Sequence, residues 1–229
     1  MKRTWLTVMI MVVMFTFVGT VNANTISLFD PGNRYLNAGP FHAHVLGTDL
    51  GFLVGDTITG GIEFTTFCLE KTEYFYAWNT PYNYTIDAYA VGGAGGATGG
   101  KDDLDPRSAW LYYNFRTIPS FADTPDKVKA LQAAFWHIED EQYLPPTPTS
   151  GLVEEQAWTY VTAATTGQTT GQWSGIGPVV VLNLYDAHGE LQSQLGLRSI
   201  PFSIVPEPAT LLLLGLGLVA LGVSRKFRK

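Results

Sequence analysis

Hydrophobic and polar positions alternate in the first part of the chain, shift to a three-to-four-residue spacing in the middle, and alternate again near the end. In 61–69 the sequence GIEFTTFCL puts Ile62, Phe64, Thr66 and Cys68 on one side of an extended chain and Glu63, Thr65, Phe67 and Leu69 on the other. This predicts a strand that carries the thiol on the same face as two core residues. Further strands are expected at 51–58 and 83–90. Residues 24–46 read as short extended pieces broken at the turn pairs Pro31-Gly32 and Gly39-Pro40. From Asp105 the period changes. Asp105-Pro106 supplies a helix cap followed by proline at the first helical position, and Trp110, Leu111, Asn114, Phe115 and Ile118 give a one-sided helix to about residue 118. Thr124-Pro125-Asp126 repeats the start signal for a helix whose buried stripe is Val128, Leu131, Phe135 and Ile138. After Pro145, Pro146 and Pro148 a third helical pattern begins at Ser150 and runs through Leu152, Val153, Gln156, Ala157, Tyr160 and Val161. Residues 167–177 read as a polar Gly/Thr loop. Strands are expected at 179–185 and 191–205, joined in a hairpin around 186–189. The order predicts an α+β domain: a sandwich-like antiparallel sheet with about three helices on one side.

Two runs stand outside this pattern. Lys2 and Arg3 precede an apolar run at 6–18, and Val21-Asn22-Ala23 offers the small residues a signal peptidase needs, so 1–23 reads as a secretory signal peptide. At the other end, Pro206-Glu207-Pro208 is followed by an apolar run at 209–223 and by the basic residues Arg225, Lys226, Arg228 and Lys229. The prolines separate the run from what precedes it. As a helix it spans roughly 22 Å against a bilayer core of ~30 Å, which suits transient retention better than permanent anchoring. The basic end then stays on the cytoplasmic side.

Motif, apolar run and basic end, in this order, resemble the PEP-CTERM sorting signal of Gram-negative bacteria. The resemblance implies export, transient membrane retention, and recognition near Pro206-Glu207-Pro208 by an exosortase-type transpeptidase, often in bacteria that make exopolysaccharide. The same kind of segment is also labelled an ice-binding protein C-terminal domain; that label describes a sorting tail and says nothing of ice. The chain thus divides into a signal at 1–23, an extracytoplasmic domain at 24–204 and a sorting tail with a transmembrane helix at 205–229.

Charge narrows the partners. Of 14 basic residues, six lie in the two terminal segments, so the remainder sets eight cations against 20 acids, a net charge near −12. Such a surface repels phosphate backbones, and no basic stripe interleaved with aromatics is present, so nucleic acid is not expected as a partner. The single cysteine excludes an intrachain disulfide in a chain expected to reach an oxidising compartment.

Phe67-Cys68-Leu69-Glu70 and Leu131-Gln132-Ala133-Ala134-Phe135-Trp136 resemble the two signature segments of thioester-forming adhesin domains of bacterial surface proteins. Leu131 stands where that family has threonine, and Phe135 where it has an aliphatic residue. The resemblance implies that Cys68 and Gln132 are the thioester partners. The chemistry requires a thiolate that attacks the glutamine carbonyl with loss of ammonia, leaving an acyl group that an amine can later take. Val128, Gln132 and Trp136 share a helical face at spacings of four, which suits a glutamine at the border of an apolar stripe, with Phe67 and Trp136 as candidate shields of the bond. The alternative for Cys68 is a small buried hydrophobe, and for 131–136 an ordinary core helix segment.

Other chemistry finds less support. The 92–100 glycine run leads to Lys101-Asp102 instead of Lys-Ser/Thr, so it is a flexible loop and not a phosphate cradle. His42 with His44, and His137 with Glu141, lack a third ligand, and there is neither a His-Glu-x-x-His nor a Gly-x-Ser-x-Gly motif. No cofactor, no metal and no enzymatic activity are expected. The leading expectation is an exported structural or interaction protein of the cell surface or exopolysaccharide matrix. The rival is a covalent adhesin whose Cys68–Gln132 thioester captures an amine. The expected partners are the membrane, transiently, an exosortase-type transpeptidase, and an exopolysaccharide or amine-bearing surface protein.

Overall fold

The structure is a computed structural model that describes residues 24–199 except 33, 37, 48–51, 76–77, 93–98 and 146–150. The expected signal peptide at 1–23 and the tail with its apolar run at 205–229 lie outside the described residues. Among the described residues, no helix is long and apolar enough to cross a membrane.

The alternating segments form strands. These are β1 Thr25–Phe29, β2 Phe41–Leu46, β3 Asp56–Ile58, β4 Gly61–Thr66, β5 Tyr82–Asp87, β6 Tyr89–Val91, β7 Lys101–Asp103, β8 Val179–Asp186, β9 Gly189–Glu190 and β10 Gln194–Leu197. All pairings are antiparallel, in the order β10-β8-β5-β1-β2-β4-β3, with β9 beside β8 and β6-β7 as a separate ribbon. The register puts Ala43 opposite Phe64 and Val45 opposite Ile62, so apolar residues of neighbouring strands meet on one face. The sheet then joins its own edges. Beyond β4, Cys68 bridges Gln194, with Leu195 N–H donating to Phe67 O at 3.0 Å and Leu69 N–H to Ser193 O at 3.1 Å. Leu53 bridges Arg198 in the same way.

Three helices among the described residues complete the α+β arrangement: α1 Pro106–Thr117, α2 Pro125–Ile138 and α3 Leu152–Thr169. The two expected caps are made: Asp105 accepts from Arg107 N–H at 2.7 Å and Thr124 from Lys127 N–H at 3.4 Å. Helix α2 is the central one, with Ala130 to Trp136 and Ile138 all buried. Its end is fixed by Asp140 at φ 59° and by two N–H donors, of Glu141 and Gln142, on the Trp136 carbonyl.

Two cores result. Phe67, Leu69, Val179, Val181, Leu195 and Leu197 face the helices. Ile62, Phe64 and Cys68 lie in a second core with Ile26, Leu28, Phe41, Val180, Leu182 and Leu184. Strand β8 serves both, which is why Val179 to Leu184 are all buried instead of alternating, with Asn183 the one polar residue among them.

Several expectations needed revision. The strand expected at 191–205 is Gln194–Leu197 alone among the described residues, with 200–205 outside them, and the one expected at 83–90 is divided between β5 and β6. The strand expected at 51–58 is reduced to β3 and the Leu53 bridge among the described residues. The ribbon strand β7 was not foreseen, because Lys-Asp-Asp has no apolar signal. Ile118 caps α1 from the surface, 43% exposed, instead of joining its buried face. Helix α3 continues to Thr169, well into the expected Gly/Thr loop. Its threonines are accommodated by hydroxyl bonds to carbonyls one turn back: Thr165 to Val161 O at 2.8 Å, Thr166 to Thr162 O at 2.9 Å and Thr170 to Thr166 O at 2.8 Å.

Candidate functional site

Cys68 occupies a place where the strand ladder leaves a gap. Its bridge to Gln194 is of the type in which the flanking residues make the hydrogen bonds, so its own N–H and C=O point away from β10. On that other side β2 has ended: Phe41 pairs with Thr66, and the residue before it, Pro40, has no N–H to offer. Both backbone groups would be orphaned in a buried place. The Gln132 side chain, reaching in from α2, satisfies them. Cys68 N–H donates to Gln132 Oε1 at 3.2 Å, and Gln132 Nε2 donates to Cys68 O at 2.8 Å. The clamp holds the amide against the thiol, whose Sγ lies 3.5 Å from Oε1.

The surroundings exclude water. Cys68 and Gln132 are fully buried and Trp136 is 2% exposed. Gly39 passes so close that a Cβ there would collide with Gln132 Oε1 and come within 3.1 Å of Phe67 Cα. Burial pushes the Cys68 thiol up to about 12; backbone N–H groups at Gly39 and Cys68 and the Trp136 indole oppose this, while the Glu70 charge adds to it. The thiol is therefore protonated at neutral pH and unreactive until a base takes its proton. Glu70 is itself buried and pushed up to about 8, mainly by desolvation. Its Oε2 accepts from Ser193 N–H at 2.7 Å, while Oε1 has no hydrogen-bond partner. Lys71 N–H, just beyond, donates to Glu141 at 3.0 Å and ties this segment to the end of α2.

Of the residues singled out from the sequence, Cys68, Gln132 and Trp136 come together. Phe67 packs in the other core, its ring 5.0 Å from Phe135 and 5.2 Å from Phe115, and so closes the helix side of the strand. His42 is exposed, and His44 pairs with Glu63 at 2.9 Å. Leu144 N–H donates to His137 Nδ1 at 3.3 Å, and Gln142 O lies at the same distance from that nitrogen. No group of three His, Cys, Asp or Glu side chains among the described residues is placed to hold a metal. Pro206, Glu207, Pro208 and the terminal cations lie outside them. Sequence reasoning missed Gly39, which was only half of a turn pair, and Glu70, whose burial has no sequence signature.

Residues 205–226 match the PEP-CTERM protein-sorting motif. A tail of this kind implies an exported, membrane-transiting precursor recognised by an exosortase; nothing in the match extends to ice binding. No curated protein matches the chain. Among solved structures, the N-terminal domain of the Streptococcus pyogenes pilus tip adhesin Cpa aligns with a TM-score of 0.46 at 12% identity, covering 80% of this chain and 97% of that one.

Proposed function

We propose that this chain is an exported surface protein that acts by attachment, and that its domain forms an internal thioester between Cys68 and Gln132 with which it captures an amine. The observation that carries this reading is the two-point clamp of the Gln132 amide by the Cys68 backbone, with Sγ 3.5 Å from Oε1. Loss of the thiol proton lets Sγ attack the Gln132 side-chain carbonyl carbon. Negative charge then develops on Oε1, which already accepts the Cys68 N–H, an arrangement that stabilises the tetrahedral intermediate. The C–Nε2 bond breaks and the proton leaves with nitrogen as ammonia, so thiol and amide become thioester and ammonia. A primary amine reverses the exchange, forming a new amide and returning the thiol. Burial of Cys68, Gln132 and Trp136 keeps water from competing. The protein has no turnover in this scheme and is not an enzyme.

A second reading rests on the same clamp. Gln132 satisfies an otherwise orphaned backbone pair, and burial holds the thiol protonated with its pKa at about 12; Cys68 is then a core residue of a non-covalent binding or structural module. The two readings differ in mass. With the thioester, the purified protein weighs about 17 Da less than its sequence mass, one ammonia, and regains mass when treated with methylamine. Cys68→Ala and Gln132→Ala should each abolish the deficit. Full mass, with one titratable thiol after unfolding, in preparations never exposed to amines leaves the second reading.

Sorting is tested separately. Protein recovered from its native host should end near Pro208 or carry a modification there, as recognition of Pro206-Glu207-Pro208 requires; an intact Lys229 on most mature molecules removes that reading.

A further inference from the structure

Next to the Cys68–Gln132 pair, and sharing Trp136 with it, lies an open cavity of about 230 Å³ whose walls include Arg34, Lys71, Tyr74, Trp78 and Gln192. Its chemistry runs against the rest of the domain, which is strongly acidic. Arg34 is bound to Asp30 at 2.9 Å and its guanidinium carbon lies 4.9 Å from the Trp78 ring centre. Lys71 Nζ sits 5.7 Å from the Trp136 ring centre and makes no ion pair among the described residues. At the mouth, Tyr74 is 66% and Trp78 39% exposed, an unusual loss of apolar ring burial for side chains of this size.

We infer that this cavity binds a uronic-acid unit of an acidic polysaccharide. The C–H faces of a sugar ring pack on aromatic side chains, and its hydroxyls exchange hydrogen bonds with groups such as the Tyr74 hydroxyl and the Arg34 guanidinium. The carboxylate supplies the counter-charge that Lys71 lacks. A neutral sugar in the same place would strip water from that ammonium without compensation. A polyphosphate chain has no ring to pack on Tyr74 and Trp78. The volume admits one sugar unit, and the open mouth lets its neighbours in the polymer leave. The bond between Cys68 and Gln132 is not needed for this recognition.

Calorimetric titration of the purified full chain with a galacturonic acid tetramer tests it, with a glucose tetramer, acetate and benzoate as parallel arms. The uronate tetramer should bind, and the neutral tetramer should bind about tenfold more weakly or not at all. Lys71→Ala should weaken uronate binding about tenfold, Lys71→Arg should largely restore it, and Tyr74→Ala, at a ring 66% exposed, should weaken it with the thermal midpoint little changed. Acetate should not compete, since it lacks the ring. Equal affinity for the neutral tetramer, no uronate binding, or an unchanged Lys71→Ala would overturn the assignment, as would benzoate binding more tightly than the uronate. Cys68→Ala should bind the uronate like the parent. Uronate binding without the mass deficit therefore removes only the thioester, and the deficit without uronate binding removes only the cavity's ligand.

Discussion

Raising the pH from 5 to 8 is expected to destabilise the folded domain by several kcal/mol. Burial pushes the carboxyls of Glu70 and Glu139 up to about 8, whereas in the unfolded chain they titrate near the ordinary glutamate value of ~4.3. Below that value both states hold their protons and stability is full. Between it and about 8 the unfolded chain ionises first, so it binds fewer protons than the native state, and stability falls as pH rises until the folded carboxyls ionise too. At about 1.4 kcal/mol per unit the loss is on the order of 3–5 kcal/mol for each. Asp102, raised to about 6 and much less buried, adds a smaller loss in the same direction. Urea midpoints at pH 5, 6.5 and 8 measure this. Glu70→Gln and Glu139→Gln should each flatten the profile and exceed the parent in stability at pH 8. Glu139→Gln retains an oxygen for the Asp105 N–H, which now contacts both carboxylate oxygens at 3.3 and 3.4 Å. A midpoint that is flat or rises between pH 5 and 8 contradicts the expected ionisation of both groups.

The second large effect is Gly39→Ala. The added carbon would meet Gln132 Oε1 and press on the Phe67 backbone, so the amide must leave its clamp or the strand must shift. Overpacking together with loss of buried hydrogen bonds should cost about 2–4 kcal/mol. The variant should also be purified at full mass, because the carbonyl is no longer held against Sγ. Combining it with Gln132→Ala separates the two contributions: removing the amide removes the obstructing oxygen, so the double variant should be less destabilised than the sum of the singles. Additive losses would mean that Gly39 is constrained by the Phe67 backbone alone.

Much of the site could be read before the fold was known. The alternation through Ile62, Phe64 and Cys68 depends only on the period of an extended chain, and it placed the thiol in the inner core correctly. The spacing of Gln132 and Trp136 depends only on the helical repeat. The caps at Asp105 and Thr124 are local hydrogen bonds, set within three residues of chain. Helix α3 shows where such reasoning stops: residues 167–169, expected to open a Gly/Thr loop, continue the helix, and Gly167 passes so close to the Trp110 ring that a Cβ there would come within 3.2 Å of its indole nitrogen.

By itself, then, the sequence determined the local elements, the α+β order, the faces on which Cys68 and Gln132 lie, and the sorting motif at the end of the chain. Tertiary structure alone decided that those faces meet. The thiol and the amide are 64 positions apart, and no local period relates a strand to a helix at that distance. Their contact exists because the sheet joins its edges at Cys68 and Gln194, which turns the Cys68 N–H and C=O away from the ladder at the point where β2 has ended in Pro40. A buried backbone pair must be satisfied, and the side chain that α2 brings there is Gln132. The same long-range packing raised the Glu70 and Glu139 carboxyls, since desolvation depends on what surrounds a group and not on its neighbours in the chain.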